Sequence, residues 1–348
     1  MLLIKKIIRN TILYLNVIKK FSVARLYKGK KFFIFVTPAH NNIGDLAILQ
    51  AEEQFIKMNF PEYKIFEFTG KDQEIIANRI NAIVNEDDIV TIHGGGFIGT
   101  LWINEEEYMR KIVTQLKHCR ISIFPQTIYY ENSNYGIEQR KITREIYEKC
   151  PQLNIFVRER FSYQLAKELF PNTKSYLTPD MVLALKYFNN EKANINNNVL
   201  LCLRNDLEKT CDYGNEIKEC LSYYDYDVCE TDMYCLSKKY LYDRDGVICD
   251  KLNEFSSAKL VITDRLHGMV FSALAQTPCV VLLSRSHKVQ GVFEWISHLE
   301  YIKLITCIDD LGMAINMVMR VKAPTFIFDE NNNFYLEMAE IMKDSFNE

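Results

Sequence analysis

The chain has 348 residues, more than one compact core of about 250–300 residues usually serves, so two domains are expected. Hydrophobic residues at 48% and charged residues at 25% exclude wholesale disorder, and 13 Gly with 8 Pro exclude collagen-like or low-complexity architecture. A net charge of −3 gives no reason to expect nucleic-acid binding, yet residues 1–31 carry nine Lys or Arg and no acid, which leaves −12 for the remainder.

The basic segment 1–30 reads as an amphipathic helix reaching about Phe21. On it Ile4, Ile7, Ile8, Thr11, Leu15, Ile18 and Phe21 share one side, and Lys5, Lys6, Arg9, Asn16, Lys19 and Lys20 share the other. The apolar run is too short to span a bilayer, and Asn16 with Lys19-Lys20 speaks against a secretory signal. Two placements fit: packed on its own domain, or held on an anionic membrane surface through residues 1–25.

Short β-rich runs then alternate with helical patterns. Lys31–Thr37 reads as a strand and Asp45 to about Met58 as a helix; further strands are expected at Lys64–Thr69, Ile89–His93, Ile121–Pro125 and Asn154–Arg158. Helices are expected at Asn104–His118 and Phe161–Leu169. Residues 189–198, with six Asn, read as a linker. The alternation restarts with strands at Val199–Leu203, Leu260–Thr263 and Val280–Leu283 and helices at Gly214–Ser222 and about Arg265–Gln276; a terminal helix is expected from Phe326. This predicts an α/β fold of two Rossmann-like domains, 31–188 and 199–325, facing a central cleft, with a C-terminal helix over 326–348.

Ten cysteines contain no Cys-x-x-Cys pair, and Cys211, Cys220 and Cys229 recur at a spacing no metal site uses. No metal is expected, and scattered thiols in a chain this large read as reduced and cytoplasmic.

Five segments carry candidate chemistry. His40–Asp45 follows the first strand and opens a helix, where backbone N–H groups can meet anions or hydroxyls; Asn42 and Asp45 are its candidate contacts, although an Asp there can equally be a helix cap. Gly94, Gly95 and Gly96 follow a buried-looking strand and allow close approach of a ligand to the main chain, with a flexible loop as the plain alternative; Gln126, after the next strand, can join the same wall. Val157-Arg158-Glu159-Arg160 reads as a structural ion-pair cluster. Thr263–Gly268 is the most informative, because Arg265, Leu266, His267 and Gly268 sit at a strand-to-helix turn that already favours anions. Arg265 offers a bidentate fork, His267 can exchange a proton near neutral pH, and Arg204 supplies a second guanidinium after the preceding strand. Ser286–Val289 offers Lys288, which fits a cleft charge and a solvated surface residue equally well.

Together, Asn42–Asp45, Gly94–Gly96, Val157–Glu159 with Pro179-Asp180, and Thr263–Gly268 resemble the motifs of the polysaccharide pyruvyl transferase family, in order and approximate spacing over about residues 31–300. The resemblance implies a fold similar to two-domain GT-B glycosyltransferases and phosphoenolpyruvate as donor, with no further cofactor. It places Arg204, Arg265 and His267 on phosphoenolpyruvate. His267 then serves phosphate binding or proton donation, and Asp45 serves as base or acceptor contact. The acceptor would be a sugar in a glycan or its lipid-linked precursor. A nucleotide-sugar glycosyltransferase of the same architecture, using the Gly-rich segment and Arg265 for a diphosphate, and a non-catalytic module binding a phosphorylated metabolite stay open as alternatives.

Overall fold

In Lys31–Thr37 successive side chains leave the strand on opposite faces and both faces are apolar, as a strand buried on both sides requires. The computed structural model, which describes residues 2–186, 195–206, 208–209, 213–328 and 333–344, makes this segment β1 of a parallel sheet. Phe32 and Ile34 enter one core, Phe33 and Phe35 another.

The first sheet comprises β1 (Lys31–Thr37), β2 (Lys64–Thr69), β3 (Ile89–Ile92), β4 (Gly95–Gly99), β5 (Ile121–Tyr129), β6 (Leu153–Val157) and β7 (Lys174–Leu177). Its order is β2-β1-β3-β5-β6-β7, with β4 also paired to β5. The second comprises β8 (Asn198–Cys202), β9 (Asp227–Glu230), β10 (Leu260–Thr263), β11 (Cys279–Leu282) and β12 (Ile302–Ile305), ordered β12-β11-β10-β8-β9. Both sheets are parallel throughout. In each, strand order reverses beside the first strand, between β1 and β3 and between β8 and β10. Open α/β sheets bind ligands outside the carboxyl ends of strands at such points.

The helices are α1 (Leu2–Leu26), α2 (Ile43–Asn59), α3 (Gly70–Ile76), α4 (Ile103–Gln115), α5 (Asn134–Tyr147), α6 (Arg160–Leu169), α7 (Gly214–Leu221), α8 (Arg244–Ser257), α9 (Leu266–Leu274), α10 (Lys288–Ile296), α11 (Leu311–Val318) and α12 (Phe334–Asp344). One apolar core is shared by the two domains: Phe32, Leu46 and Leu49 of the first lie with Leu200, Val261, Val270 and Phe271 of the second. Arg244, opening α8, ion-pairs across the seam with Glu53 at 2.6 Å and Glu67 at 3.3 Å. The chain is thus two Rossmann-like domains facing a cleft, of the GT-B type.

Several expectations are corrected. β5 runs through Pro125–Thr127 to Tyr129, and the glycines after β3 continue into β4 rather than a loop. The terminal helix starts at Phe334, not Phe326, and packs Met338, Ala339 and Met342 into the shared core beside α2. Of the expected linker, residues 189–194 lie outside the described residues, while Asn198 already opens β8. Helix α1 continues past Phe21 to Leu26. It packs through Val17, Phe21 and Ala24, one turn apart, and Lys20 reaches Asp72 at 2.7 Å. Leu15, on the expected apolar side, is 59% exposed, as are Ile12, Leu13 and Tyr14 in large part. Among the described residues no helix is long and apolar enough to cross a membrane.

Candidate active site

The first wall of the cleft is built where β1 and β3 end. Asn42, not Asp45, caps α2: its side-chain oxygen accepts from the Gly44 N–H at 2.9 Å. Asp45 lies in the first turn and faces the cleft, 3.7 Å from His40 Nε2. This turn is fixed from the opposite domain, since the Ile43 N–H donates to the Met233 carbonyl at 2.7 Å and the Cys235 N–H to the Asn41 carbonyl at 2.8 Å. A side chain at Gly44 would place its Cβ 2.2 Å from His267 Nδ1, so the bare backbone is what lets the two walls meet.

After β3, the buried Glu52 carboxylate binds His93 Nδ1 at 2.8 Å and accepts from the Gly94 N–H at 2.7 Å. The Gln126 amide donates to the His93 carbonyl at 2.7 Å and accepts from the Phe97 N–H at 2.9 Å. Only Gly96 and Phe97 of this segment reach the cleft, joined by Trp102 and Glu105 at the start of α4.

The end of β6 adds Arg158. Its guanidinium donates to Thr127 Oγ1 at 2.9 Å and Asp180 Oδ2 at 2.7 Å while lining the cleft. The adjacent Glu159 carboxylate accepts from Ser162 and meets His287 Nε2 of the second domain at 3.0 Å. The indole N–H of Trp295 donates to the Arg158 carbonyl at 2.8 Å, a second tie across the seam. The segment is therefore an ion-pair cluster and a cleft wall at once.

The second wall is cationic. Arg204, after β8, is held by Asp206 at 3.3 Å and by Glu208, and its N–H donates to Asp264 at 2.8 Å. Glu208 also takes Lys288 at 2.6 Å. Burial alone would raise the Glu208 carboxyl, but Lys288 and Arg204 outweigh it and hold it well below the usual range. Arg265 pairs with Asp206 at 3.2 Å and Asp232 at 2.7 Å, and lies 5.3 Å from the Tyr234 ring centre. It occupies the cap position of α9 without capping it through its side chain, so the first N–H groups of that helix have no capping side chain.

His267, in the first turn of α9, has its Nε2 buried, without a hydrogen bond and 3.6 Å from Asp180 Oδ2. Burial would raise the Asp180 carboxyl, yet His267 and Arg158 together hold it far below its ordinary value, as a carboxylate. Around these groups lies a cavity of about 320 Å³.

The profile of the family described as polysaccharide pyruvyl transferase matches residues 42–287. The chain belongs to this family. It is 34% identical over 284 residues to General stress protein 30 of Bacillus subtilis, covering 80% of this chain and 82% of that one. To Pyruvyl transferase 1 of Schizosaccharomyces pombe it is 26% identical over 270 residues, covering 73% and 66%. Among solved structures, a functionally uncharacterized Klebsiella pneumoniae protein superposes with a TM-score of 0.55 at 18% identity, covering 80% of this chain and 93% of that one. A UDP-GlcNAc 2-epimerase from Methanocaldococcus jannaschii superposes at 0.51 and 16% identity, covering 90% and 99%, a likeness of fold alone.

Of the residues the sequence singles out, Asn42, Asp45, Gly96, Arg204, Arg265, Leu266, His267 and Lys288 line one cavity. Gly94, Gly95 and Gln126 do not line it, because Gln126 is fully buried and its amide is spent on the backbone of the Gly-rich segment. Gly268 is likewise set back; a Cβ there would meet Thr263 Oγ1 at 2.3 Å, so it serves the packing of α9 on β10. Trp102, Glu105 and Tyr234 line the cleft without having been singled out, since each belongs to a helix start or loop whose place only the tertiary structure sets.

Proposed function

We propose that this transferase moves a pyruvyl group from phosphoenolpyruvate onto a sugar diol of a polysaccharide or its lipid-linked precursor, forming a ketal. What supports it is the convergence of Arg158, Arg204, Arg265 and Lys288 with the uncapped start of α9 on one cavity. A donor carrying both a carboxylate and a phosphate needs several such anchors. Carboxylates already orient the cations: Asp180 holds Arg158 and Glu208 holds Arg204, while Asp232, 42% exposed beside Arg265, is the partner most easily exchanged.

In this reading His267 gives a proton to the methylene carbon of the donor, and the Asp180 carboxylate stabilises the imidazolium. One sugar hydroxyl adds to C2, with Asp45 taking its proton. The C2–O bond to phosphate then breaks, and the neighbouring hydroxyl closes the ring. Of the two hydroxyl protons, one balances that placed on the methylene and the other leaves with phosphate. The acceptor chemistry belongs at the cytoplasmic membrane face, and the exposed residues 12–15 of the basic α1 support peripheral contact there.

Calorimetric titration with phosphoenolpyruvate and with nucleotide sugars tests the reading. Binding of phosphoenolpyruvate, with phosphate release once acceptor glycan is added, is expected. Binding of a nucleotide sugar in its place would make the chain a glycosyltransferase, and phosphoenolpyruvate binding without turnover on any glycan would leave a metabolite-binding module.

A further inference from the structure

Two glutamates stand side by side in the first turn of α4 and are used in opposite ways. Glu106 is fully buried, its carboxylate 3.1 Å from Arg110 Nε and 2.6 Å from Thr143 Oγ1. Glu105 faces the cleft, and among the described residues no hydrogen bond or ion pair holds its carboxylate. It lines the same cavity as His40, Asp45, Phe97 and Trp102, with Arg158 on the same domain and Arg204 and Arg265 on the other.

The wall's chemistry restricts its ligand. Asp45 and Glu105 repel an anion from their part of the cavity, so the donor belongs toward Arg158 and the cations of the second domain. An ionised carboxylate only accepts hydrogen bonds, which suits a hydroxyl-rich neutral molecule. A half-buried indole offers an apolar face, the partner that the C–H face of a pyranose ring requires. Burial also raises the Glu105 carboxyl above its ordinary value, which fits a group able to take up a proton.

We infer that Trp102 and Glu105 form the acceptor subsite: the indole stacks on the sugar ring, and the Glu105 carboxylate accepts from one of its hydroxyls. This rests on the pyruvyl-transfer reading for the identity of the reaction, but not for the binding of a sugar. Trp102 and Trp295 are the two tryptophans of the chain, so Trp295→Phe makes indole fluorescence a report on Trp102 alone.

Methyl glucoside, galactoside and mannoside are the probes, titrated into this single-tryptophan protein with circular dichroism as a folding control. A saturable emission change with at least one of them is expected, weakened about tenfold by Glu105→Gln. In the parent chain, sugar binding measured calorimetrically should survive Trp102→Phe, which keeps an aromatic face, and fail in Trp102→Ala. Phosphoenolpyruvate affinity should stay unchanged in the Glu105 and Trp102 variants of the parent chain. No emission change with any glycoside, or a Glu105→Gln chain with unaltered acceptor KM, overturns the subsite. Loss of phosphoenolpyruvate binding in the parent chain, with glycosides still bound, would instead overturn the donor assignment and leave the subsite standing.

Discussion

Where β1 ends the chain presents His40 and Asp45, with Trp102 and Glu105 beside them; where β8 ends it presents Arg204, joined by Arg265, His267 and Lys288. Both groups occupy the point of strand-order reversal in a parallel sheet, so the fold supplies the same kind of location twice. The side chains make the difference: the first location is acidic and aromatic, with Arg158 of the same domain beyond it, and the second gathers Arg204, Arg265 and Lys288, each held by carboxylates. A transfer between an anionic donor and a neutral polyol needs that asymmetry, because placing both ligands against one charge pattern would favour one and repel the other. Fold alone would leave the chemistry open, as the epimerase likeness illustrates.

The largest effect on this division is expected from removing the group that bridges it. His267→Asn should preserve the fold and lower turnover by about 10²–10⁴-fold, the usual contribution of a positioned acid–base group. Phosphate release under saturating phosphoenolpyruvate measures it, and near-parental turnover would return His267 to a packing role between Gly44 and Asp180.

On the cationic wall, Arg265→Ala should weaken phosphoenolpyruvate binding by about 2–5 kcal/mol, since a desolvated anion loses a bidentate partner. Asp206 and Asp232, which Arg265 now neutralises, would be left facing the donor and add to the loss. Calorimetry decides it, and unchanged affinity would remove Arg265 from the donor wall.

A third change tests the contact between the walls. Gly44→Ala puts a methyl group against His267, at a cost of about 1–3 kcal/mol if the side chain cannot yield. Gly312→Ala is the control, because its nearest new neighbour is Cys220 Sγ at 3.7 Å, ordinary van der Waals contact. A lower melting temperature and turnover for the first substitution alone would show that the walls are set by this close approach; equal behaviour of the two would show slack between the domains.

How much of this division the amino-acid order discloses varies with depth in the fold. β1 and β10 are legible because their residues are buried on both faces and form continuous apolar runs. β9, an edge strand reading Asp-Val-Cys-Glu, carries no such run and escapes notice, and glycine conceals β4. Among the site residues, Arg265 and His267 stand out because strand, turn and helix are contiguous around them. Arg158 is visible as a motif, but its partner Asp180 lies 22 residues away, so its pairing emerges only in three dimensions. Gln126 illustrates the opposite error, for a polar residue near a strand end looks available until its amide is found bonded on both sides to the main chain.

The smallest effect on the reaction itself is expected from α1, which divides along its length much as the cleft divides across its width. Its second half belongs to the domain core through Val17, Phe21 and Ala24, while Ile12, Leu13, Tyr14 and Leu15 are exposed beyond a stretch holding Lys5, Lys6 and Arg9. If the acidic wall receives a lipid-linked sugar, this exposed part is suited to hold the first domain at an anionic membrane, with each basic residue contributing about 1 kcal/mol near the surface. The chain should therefore co-sediment with phosphatidylserine vesicles at low salt and leave them at high salt, because the attraction is screened. Deleting residues 1–15 should abolish capture while sparing turnover on a soluble acceptor. Deleting residues 1–25 should instead destabilise the protein, since it strips three side chains from the core. If vesicles capture nothing from the intact chain, α1 is a packing element alone, and the acceptor must reach the first wall without help from the membrane.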